Sequence, residues 1–417
     1  MDWITTFEAL KAVYIDGAYS NMAINEALEH HSDCSGAFVR TFVKGVIRET
    51  ILLDSVIDSL AEKGIAKIKN RTLIVIRMGL YAIRNLDSVP DYAAVNEAVK
   101  LSRKVAIGTD RFVNAVLRNY IRKSDEFTDK KYDLATRYSF PEKLVELISD
   151  QYGRETEKIL AALNKPAAFV IRTNALKTTR SDLIDILRTC GIDAEIIKET
   201  KNGVICKGGN VLATDAYRDG LFTVQSLSSI LAIEALDLKK GYRVLDMCAA
   251  PGGKTTAIAE AIGDDGEILA CDVYEHRLSL IEATAKRLGI TSVKTGILDG
   301  TEHCAEMDES FDFVLADVPC SGLGVIPSKP EIKITTDPDK YAELEEIQYK
   351  ILENAIRYTK DGGIIEYSTC TINKSENEAI INRIINSYGF VHILEKTQIL
   401  PYNNKVGFFY CIMQKKS

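Results

Sequence analysis

The sequence predicts a multidomain chain: an all-α N-terminal part, a small α+β middle part and a doubly wound α/β C-terminal part. Three observations carry that reading. Up to residue 123, apolar side chains recur at helical spacing between charges. Between residues 166 and 208, short strand-like runs flank one helical stretch. From Gly241 onward apolar strand runs alternate with helices, the order that builds a parallel sheet covered on both faces. A chain of 417 residues exceeds one ordinary core, so two or three domains are expected.

In the N-terminal part, "CSGAFVRTFVKGVIRETILLDSVIDSL" sets Phe38, Phe42, Val46 and Ile47 at helical spacing. "NRTLIVIRMGLYAIRNL" is a second apolar helix, and "DYAAVNEAVKLSRKV" follows Pro90, which suits a helix start. In "DRFVNAVLRNYIRK", Phe112, Val116 and Tyr120 share one face, with Arg111, Arg118 and Arg122 largely off it. A polar joint follows, then a short helix, "PEKLVELISDQYG". In the middle part "AAFVIRTN", "DAEIIKET" and "GVICKG" read as strands and "SDLIDILRTCG" as a helix, an arrangement often set against RNA. The last part has strands at "YRVLDMCAA", "GEILACDV", "FDFVLADV" and "GGIIEYST". The expected boundaries are 1–125, 126–235 and 236–417.

Composition narrows the class. Hydrophobic content of 46% and charged content of 27% are those of a soluble globular protein, and no run is long and apolar enough to span a membrane. "MDWITTFEALK" lacks an apolar signal core, so no secretory signal is expected and the cytoplasm is the expected location. Nine scattered cysteines without any C-x-x-C do not form a disulfide framework, and five histidines without ligand spacing argue against a metal. The net charge of −7 is unevenly spread: residues 1–123 carry 17 bases against 14 acids, or +3, leaving −10 for the rest. The basic excess clusters at Lys63, Lys67, Lys69 and Arg71, and again from Lys100 to Lys123. Within the second cluster Lys100, Arg103, Lys104, Arg111, Arg118 and Arg122 are the candidate RNA contacts, set against the plainer reading of a solvated helical face.

In a doubly wound sheet ligands bind just past the carboxyl ends of the strands. The first such end is "VLDMCAAPGGKTT", where Cys248, Ala249, Ala250, Pro251, Gly252, Gly253 and Lys254 form a small-residue turn opening a helix. Such a turn lets backbone N–H groups approach an anionic group. It matches neither dinucleotide nor phosphate-loop glycine spacing, so a carboxylate such as that of S-adenosylmethionine is the better guest. Asp272 ends the second strand, 26 residues after Asp246, and is placed to accept from ribose hydroxyls; nicotinamide cofactors use the same placement. Asp299, in "GILDG", is placed for an adenine or is an ordinary turn acid.

Two further strand ends carry thiols: Asp317–Val318–Pro319–Cys320, and Cys370 in "EYSTC", 50 residues later. A lone cysteine is more often a small buried hydrophobe, the class assigned to Cys248, Cys271, Cys190 and Cys411. Two at the ligand edge suit a chemistry in which a thiolate adds to carbon-6 of cytosine and so makes carbon-5 nucleophilic towards a methyl sulfonium. An acid at the ring's nitrogen edge stabilises the developing charge.

Together "DMCAAPGGKT", "ADVPCSGLG" and "EYSTC" resemble the RNA 5-methylcytosine methyltransferases of the Sun/RsmB type. "FVKGVIRE", "IRMGLYAIRNLDSVPDYAAVNEAVKLSRK" and "RFVNAVLRN" resemble the NusB-like domain of the RsmB branch, and the likeness covers nearly the whole chain. The resemblance implies a Rossmann-like class I methyltransferase domain behind a NusB-like and an RRM-like domain. It implies Cys370 as nucleophile and Cys320 as the thiol that assists release, with Cys248 through Lys254, Asp272, Asp299 and Asp317 around S-adenosylmethionine. Asp317 is also the candidate at the cytosine edge. The implied substrate is a cytosine of small-subunit ribosomal RNA, free or partly assembled, and the implied state a monomer without membrane or metal. Alternatives are a transfer RNA substrate, or an RNA-binding assembly factor on an inactive fold. The chain departs from the family pattern at Pro327 and Ser328, where arginines are usual, and at Ser226 and Val406, where aspartates are common. The first departure bears on an RNA contact.

Overall fold

The computed structural model describes residues 2–31, 33–128 and 132–416. By compactness it divides into two units. One comprises the chain up to Lys165 together with Ile326–Thr336; the other comprises Pro166–Val325 and the chain from Asp337 onward.

The first unit is helical: α1 (Asp2–Tyr14), α2 (Ser20–His30), α3 (Gly36–Arg48), α4 (Thr50–Leu60), α5 (Asn70–Asn85), α6 (Asp91–Val105) and α7 (Asp110–Arg122). The Ser35 hydroxyl accepts from the Phe38 N–H at 3.4 Å and caps α3. Helix α5 is buried from Ile74 to Ala82, which explains its almost continuous apolar sequence. Its neighbours approach closely because glycines face them. A Cβ at Gly79 would lie 2.6 Å from Leu117, and one on Gly45 of α3 would overlap the Tyr81 ring. The core gathers Phe42, Leu53, Ile76, Val113 and Leu117, with Trp3 packed edge-on to Phe42. The expected face of α7 is only partly buried: Val116 and Tyr120 are inside, but Phe112 stays 39% exposed.

Ile326–Thr336 joins this helical unit although it follows the Pro-Cys motif in sequence. The Glu331 carboxylate accepts from the Ser20 N–H at 3.0 Å and hydroxyl at 2.7 Å. Lys333, 1% exposed, donates to the Arg48 carbonyl (2.7 Å), the Asn164 side chain (2.8 Å) and the Tyr138 carbonyl (3.1 Å), and lies 4.1 Å from the Phe140 ring centre. Burial pushes its amine well below the usual lysine range. The carbonyls of Pro327 and Ser328 accept from Arg48 and Lys44 of α3, so side chains of the helical unit meet this backbone directly.

The second unit holds two sheets. β1 (Phe169–Thr173), β2 (Asp193–Ile196), β3 (Gly203–Lys207) and β4 (Phe222–Val224) form an antiparallel sheet in the order β2-β3-β1-β4. β5 (Arg243–Asp246), β6 (Glu267–Asp272), β7 (Val293–Ile297), β8 (Phe311–Asp317), β9 (Thr359–Thr369), β10 (Val391–Ile399) and β11 (Phe408–Lys415) form the larger one, ordered β10-β11-β9-β8-β5-β6-β7. β5 to β9 pair in parallel, as expected, and end on one edge. β10 and β11 were not expected and run antiparallel, so the sheet is mixed rather than parallel throughout. A buried ion pair joins the two sheets' elements: Arg172 of β1 and Glu260 of the helix Gly253–Ala261, each with a 3% exposed side chain, meet at 2.8 Å.

Candidate active site

The carboxyl edge of the larger sheet brings together most residues the sequence singles out. After β5 the chain turns at once: the Ala249 N–H donates to the Cys271 carbonyl and the Gly252 N–H to the Ala249 carbonyl, both at 2.7 Å. Gly252 has φ of +97°, and a Cβ there would sit 3.2 Å from the Ile281 backbone, so glycine is required for the helix Gly253–Ala261 to start here. Asp246, at the end of β5, is buried. One oxygen accepts from the Thr255 hydroxyl at 2.6 Å while Oδ1 has no partner. Desolvation raises its pKa to about 7.

Asp272 ends β6, also buried, with Oδ1 accepting from the Tyr274 N–H at 3.2 Å and from Arg277 at 3.1 Å. Arg277 also donates to the Ala250 carbonyl, tying the second strand end to the turn after the first. The Leu298 N–H donates to the Asp272 carbonyl, which sets Asp299 beside that strand end. Asp299 itself is exposed and closes its own turn on Thr301, whose hydroxyl and N–H hold the carboxyl below its usual range.

Asp317 ends β8. Its Oδ2 accepts from Lys254 Nζ at 2.5 Å and its Oδ1 from the Ser368 hydroxyl of β9 at 2.9 Å. Lys254 is therefore a partner of the acid three residues before Cys320, as well as part of the turn. Burial opposes its charge, but Asp317 wins and the amine lies above the usual lysine range. Cys320 and Cys370 follow the ends of the paired strands β8 and β9, and their sulfurs lie 3.2 Å apart. The hydrogen bond to Cys370, then burial, raise the Cys320 thiol well above its ordinary value. Cys320 thus stays protonated and presents its S–H to the Cys370 sulfur. The remaining thiols are poor reagents: burial raises Cys271 and Cys411 each to about 12 and Cys248 well above its ordinary value. Cys190, expected among the buried thiols, is instead exposed just past the helix Arg180–Thr189, where no apolar face covers it.

Two buried acids at this edge had no sequence signal. Glu376 accepts from the Ser321 N–H (2.8 Å) and hydroxyl (2.5 Å), from Gln348 (3.0 Å) and from Asn373 (3.1 Å). Gln348 also donates to the Pro319 carbonyl, and the Gly324 N–H to the Cys370 carbonyl. One carboxylate thereby pins the Pro-Cys loop to the Thr-Cys loop. Glu366 lies on the same face of β9 as Ser368 and Cys370, by the strand's two-residue period. It is fully buried and neither oxygen has a partner in hydrogen-bonding geometry; the nearby Ser368 hydroxyl is already given to Asp317. Desolvation raises this carboxyl to about 8.

Of the six candidate RNA contacts, Lys100 is paired with Glu97, Arg103 with Asp110, and Arg118 with the Asn114 side chain. Lys104, Arg111 and Arg122 are exposed on the helical unit. Among the described residues no group of three His, Cys, Asp or Glu side chains is placed to hold a metal, and no helix is long and apolar enough to cross a membrane.

Comparison with known proteins matches this architecture. Residues 233–412 match the family described as 16S rRNA methyltransferase RsmB/F, residues 4–122 the NusB family, and residues 140–211 the ferredoxin-like domain of RsmF/B-like methyltransferases. A probable ribosomal RNA small subunit methyltransferase B of Bacillus subtilis is 35% identical over 98% of this chain and 97% of its own. A ribosomal RNA small subunit methyltransferase B of Photorhabdus laumondii is 30% identical over 99% and 98%. The crystal structure of PH0851 superposes with a TM-score of 0.83 at 26% identity, over 99% of this chain and 98% of that one.

Proposed function

Because the chain belongs to the RsmB/F family of 16S rRNA methyltransferases, we propose that it methylates carbon-5 of a cytosine in small-subunit ribosomal RNA through a cysteine–cytosine adduct. The observation that carries this reading is the pair of sulfurs 3.2 Å apart, beside the Asp317–Lys254 couple, at the ends of adjacent strands.

The residues fit S-adenosylmethionine. The Ala249–Gly253 turn and the helix start offer a cradle with no side chains, Asp246 keeps one buried oxygen unpaired, and Asp272 ends the next strand. Cys248 through Lys254, Asp272, Asp299 and Asp317 would hold it. When bound, it supplies an electrophilic methyl group.

The chain's own residues do the rest. Cys370 gives its proton to solvent or a neighbouring base, and its sulfur adds to carbon-6 of a cytosine taken out of its stack. The pair of electrons displaced from the 5,6 double bond makes carbon-5 the nucleophile. Asp317, backed by Lys254, holds the amino and ring-nitrogen edge of the base where charge develops. After carbon-5 has gained its methyl group, its proton leaves to a base. The bonding electrons re-form the double bond, and Cys370 departs as thiolate. Cys320, held at the departing sulfur, supplies an S–H donor that stabilises it and assists release.

Methylation of small-subunit ribosomal RNA and of transfer RNA by the purified protein, with bisulfite mapping of the product, tests the reading. Conversion resistance at a single small-subunit cytosine is expected; modification of transfer RNA alone would contradict it.

A further inference from the structure

The helical unit carries a cavity of about 1200 Å³ that the chemistry above does not use. It opens between the α4–α5 connection, the start of α5, the α6–α7 turn and the outer face of α7. Its rim holds Lys63, Lys67, Lys69, Arg71 and Arg122, all exposed, against a single carboxylate, Glu62. Among the described residues none of these five cations enters an ion pair or a side-chain hydrogen bond, whereas Lys100, Arg103 and Arg118 are satisfied within the chain. Five unneutralised cations around one concavity repel one another, and a bound polyanion relieves that cost.

The floor is apolar. Ile107 is 85% exposed and Phe112 39% exposed, each facing solvent where a helical unit normally covers such side chains. The cavity also holds the amides of Asn70 and Asn119. Helix α5 starts inside it with Lys69 at the cap position and no side-chain cap, so its positive end adds to the same field.

We infer that this groove binds a single-stranded stretch of RNA, with phosphates on the lysine–arginine rim and a base laid on Phe112 and Ile107. Cations track the backbone, an aromatic face takes a base, and amides read base edges, which is how sequence-tolerant single-strand sites are built. An acidic peptide would use the cations but leave the apolar floor and the amides without partners. The inference rests on the RNA-substrate reading above and deepens it: the helical unit grips the substrate at a site separate from the thiols.

The test uses the full chain and two probes, a labelled oligouridine and small-subunit ribosomal RNA freed of protein. Binding is measured against salt for the wild type, for K63Q/K67Q/K69Q/R71Q, and for F112A, with thermal melting to verify folding. The fourfold variant is expected to lose about 10- to 100-fold in affinity. Its log–log salt slope should flatten by up to roughly 3, at about 0.7 per phosphate contact on a single strand. F112A should weaken binding several-fold with its salt slope unchanged. The loss in methylation should appear in KM for RNA. An unchanged slope in a folded fourfold variant overturns the groove while leaving the methyltransferase reading intact. Normal handling of free RNA with poor handling of a partly assembled particle would also overturn it, in favour of a protein partner. A wild type that binds RNA with a steep slope but methylates none contradicts the proposed function and leaves the groove standing.

Discussion

Cys320 Sγ and Cys370 Sγ lie 3.2 Å apart although 50 residues separate them, and Glu376 holds both loops in that register. It receives hydrogen bonds from Ser321, Gln348 and Asn373 while fully buried. Replacing Glu376 by Ala strands these donors in a dry site, at a cost of about 3 kcal/mol. Thermal or urea unfolding should show that loss, and initial rates of methyl transfer should fall at least about 100-fold as the thiols separate. A folded variant with normal rates would mean that the loops hold each other without Glu376.

The Asp317–Lys254 contact predicts that Asp317→Asn damages turnover more than stability. The amide loses the charge that Lys254 completes and the acceptor for a cytosine amino group. A drop of about 10² to 10³ in kcat is expected, the size seen when one preorganised transition-state group is removed. Steady-state rates with an unmodified RNA would check it, and a kcat within a few-fold of wild type would remove Asp317 from the base-binding role.

Glu366 predicts an unusual dependence of stability on pH. Its carboxyl has an ordinary value of 4.5 and sits at about 8 in the fold. The unfolded chain therefore ionises from about pH 4.5 while the folded one stays protonated, so stability falls as pH rises between those values and levels off above about 8. Asp246, raised from 3.8 to about 7, adds a contribution of the same sign. Glu366→Gln keeps the shape and removes the titration. It should stabilise the protein at pH 8 by about 3 kcal/mol relative to wild type and be close to neutral at pH 4.5. Equal differences at both pH values would show that Glu366 does not hold its proton in the fold.

Much of this was legible in the sequence because strand ends in a doubly wound sheet announce themselves. Asp272, Asp317, Cys320 and Cys370 each follow an apolar run directly, and the structure sets them along one edge. Glu376 was not legible: nothing in "NKSENE" separates it from Glu378 two residues on, since its role depends on Gln348 and Ser321 arriving from elsewhere. Glu366 stands in an apolar run, where a lone acid carries no sign of being buried without a partner. β10 escaped because six of its residues are exposed or half-exposed in a row rather than alternating. The attachment of Ile326–Thr336 to the helical unit depends on a buried Lys333, and a lysine in sequence reads as surface.

Arg172 and Glu260 predict a coupled stability effect. Both side chains are 3% exposed, and Arg172 also donates to Thr256 at 3.0 Å and to the Gly253 carbonyl at 2.8 Å. Arg172→Met leaves Glu260 buried and uncompensated, which costs about 3–5 kcal/mol, and adding Glu260→Leu should restore much of that loss. Denaturant unfolding of the two single variants and the double variant measures the coupling. Additive losses would show that the pair is not a unit.

The most direct test of the central claim is a denaturing gel of protein incubated with labelled small-subunit ribosomal RNA and S-adenosylmethionine. The order of roles requires Cys370 to form the bond and Cys320 to help break it. Cys320→Ala should therefore accumulate a heat-stable RNA–protein band, while Cys370→Ala and the double variant should show none and make no methylated product. A band that persists in Cys370→Ala and disappears in Cys320→Ala would contradict the account.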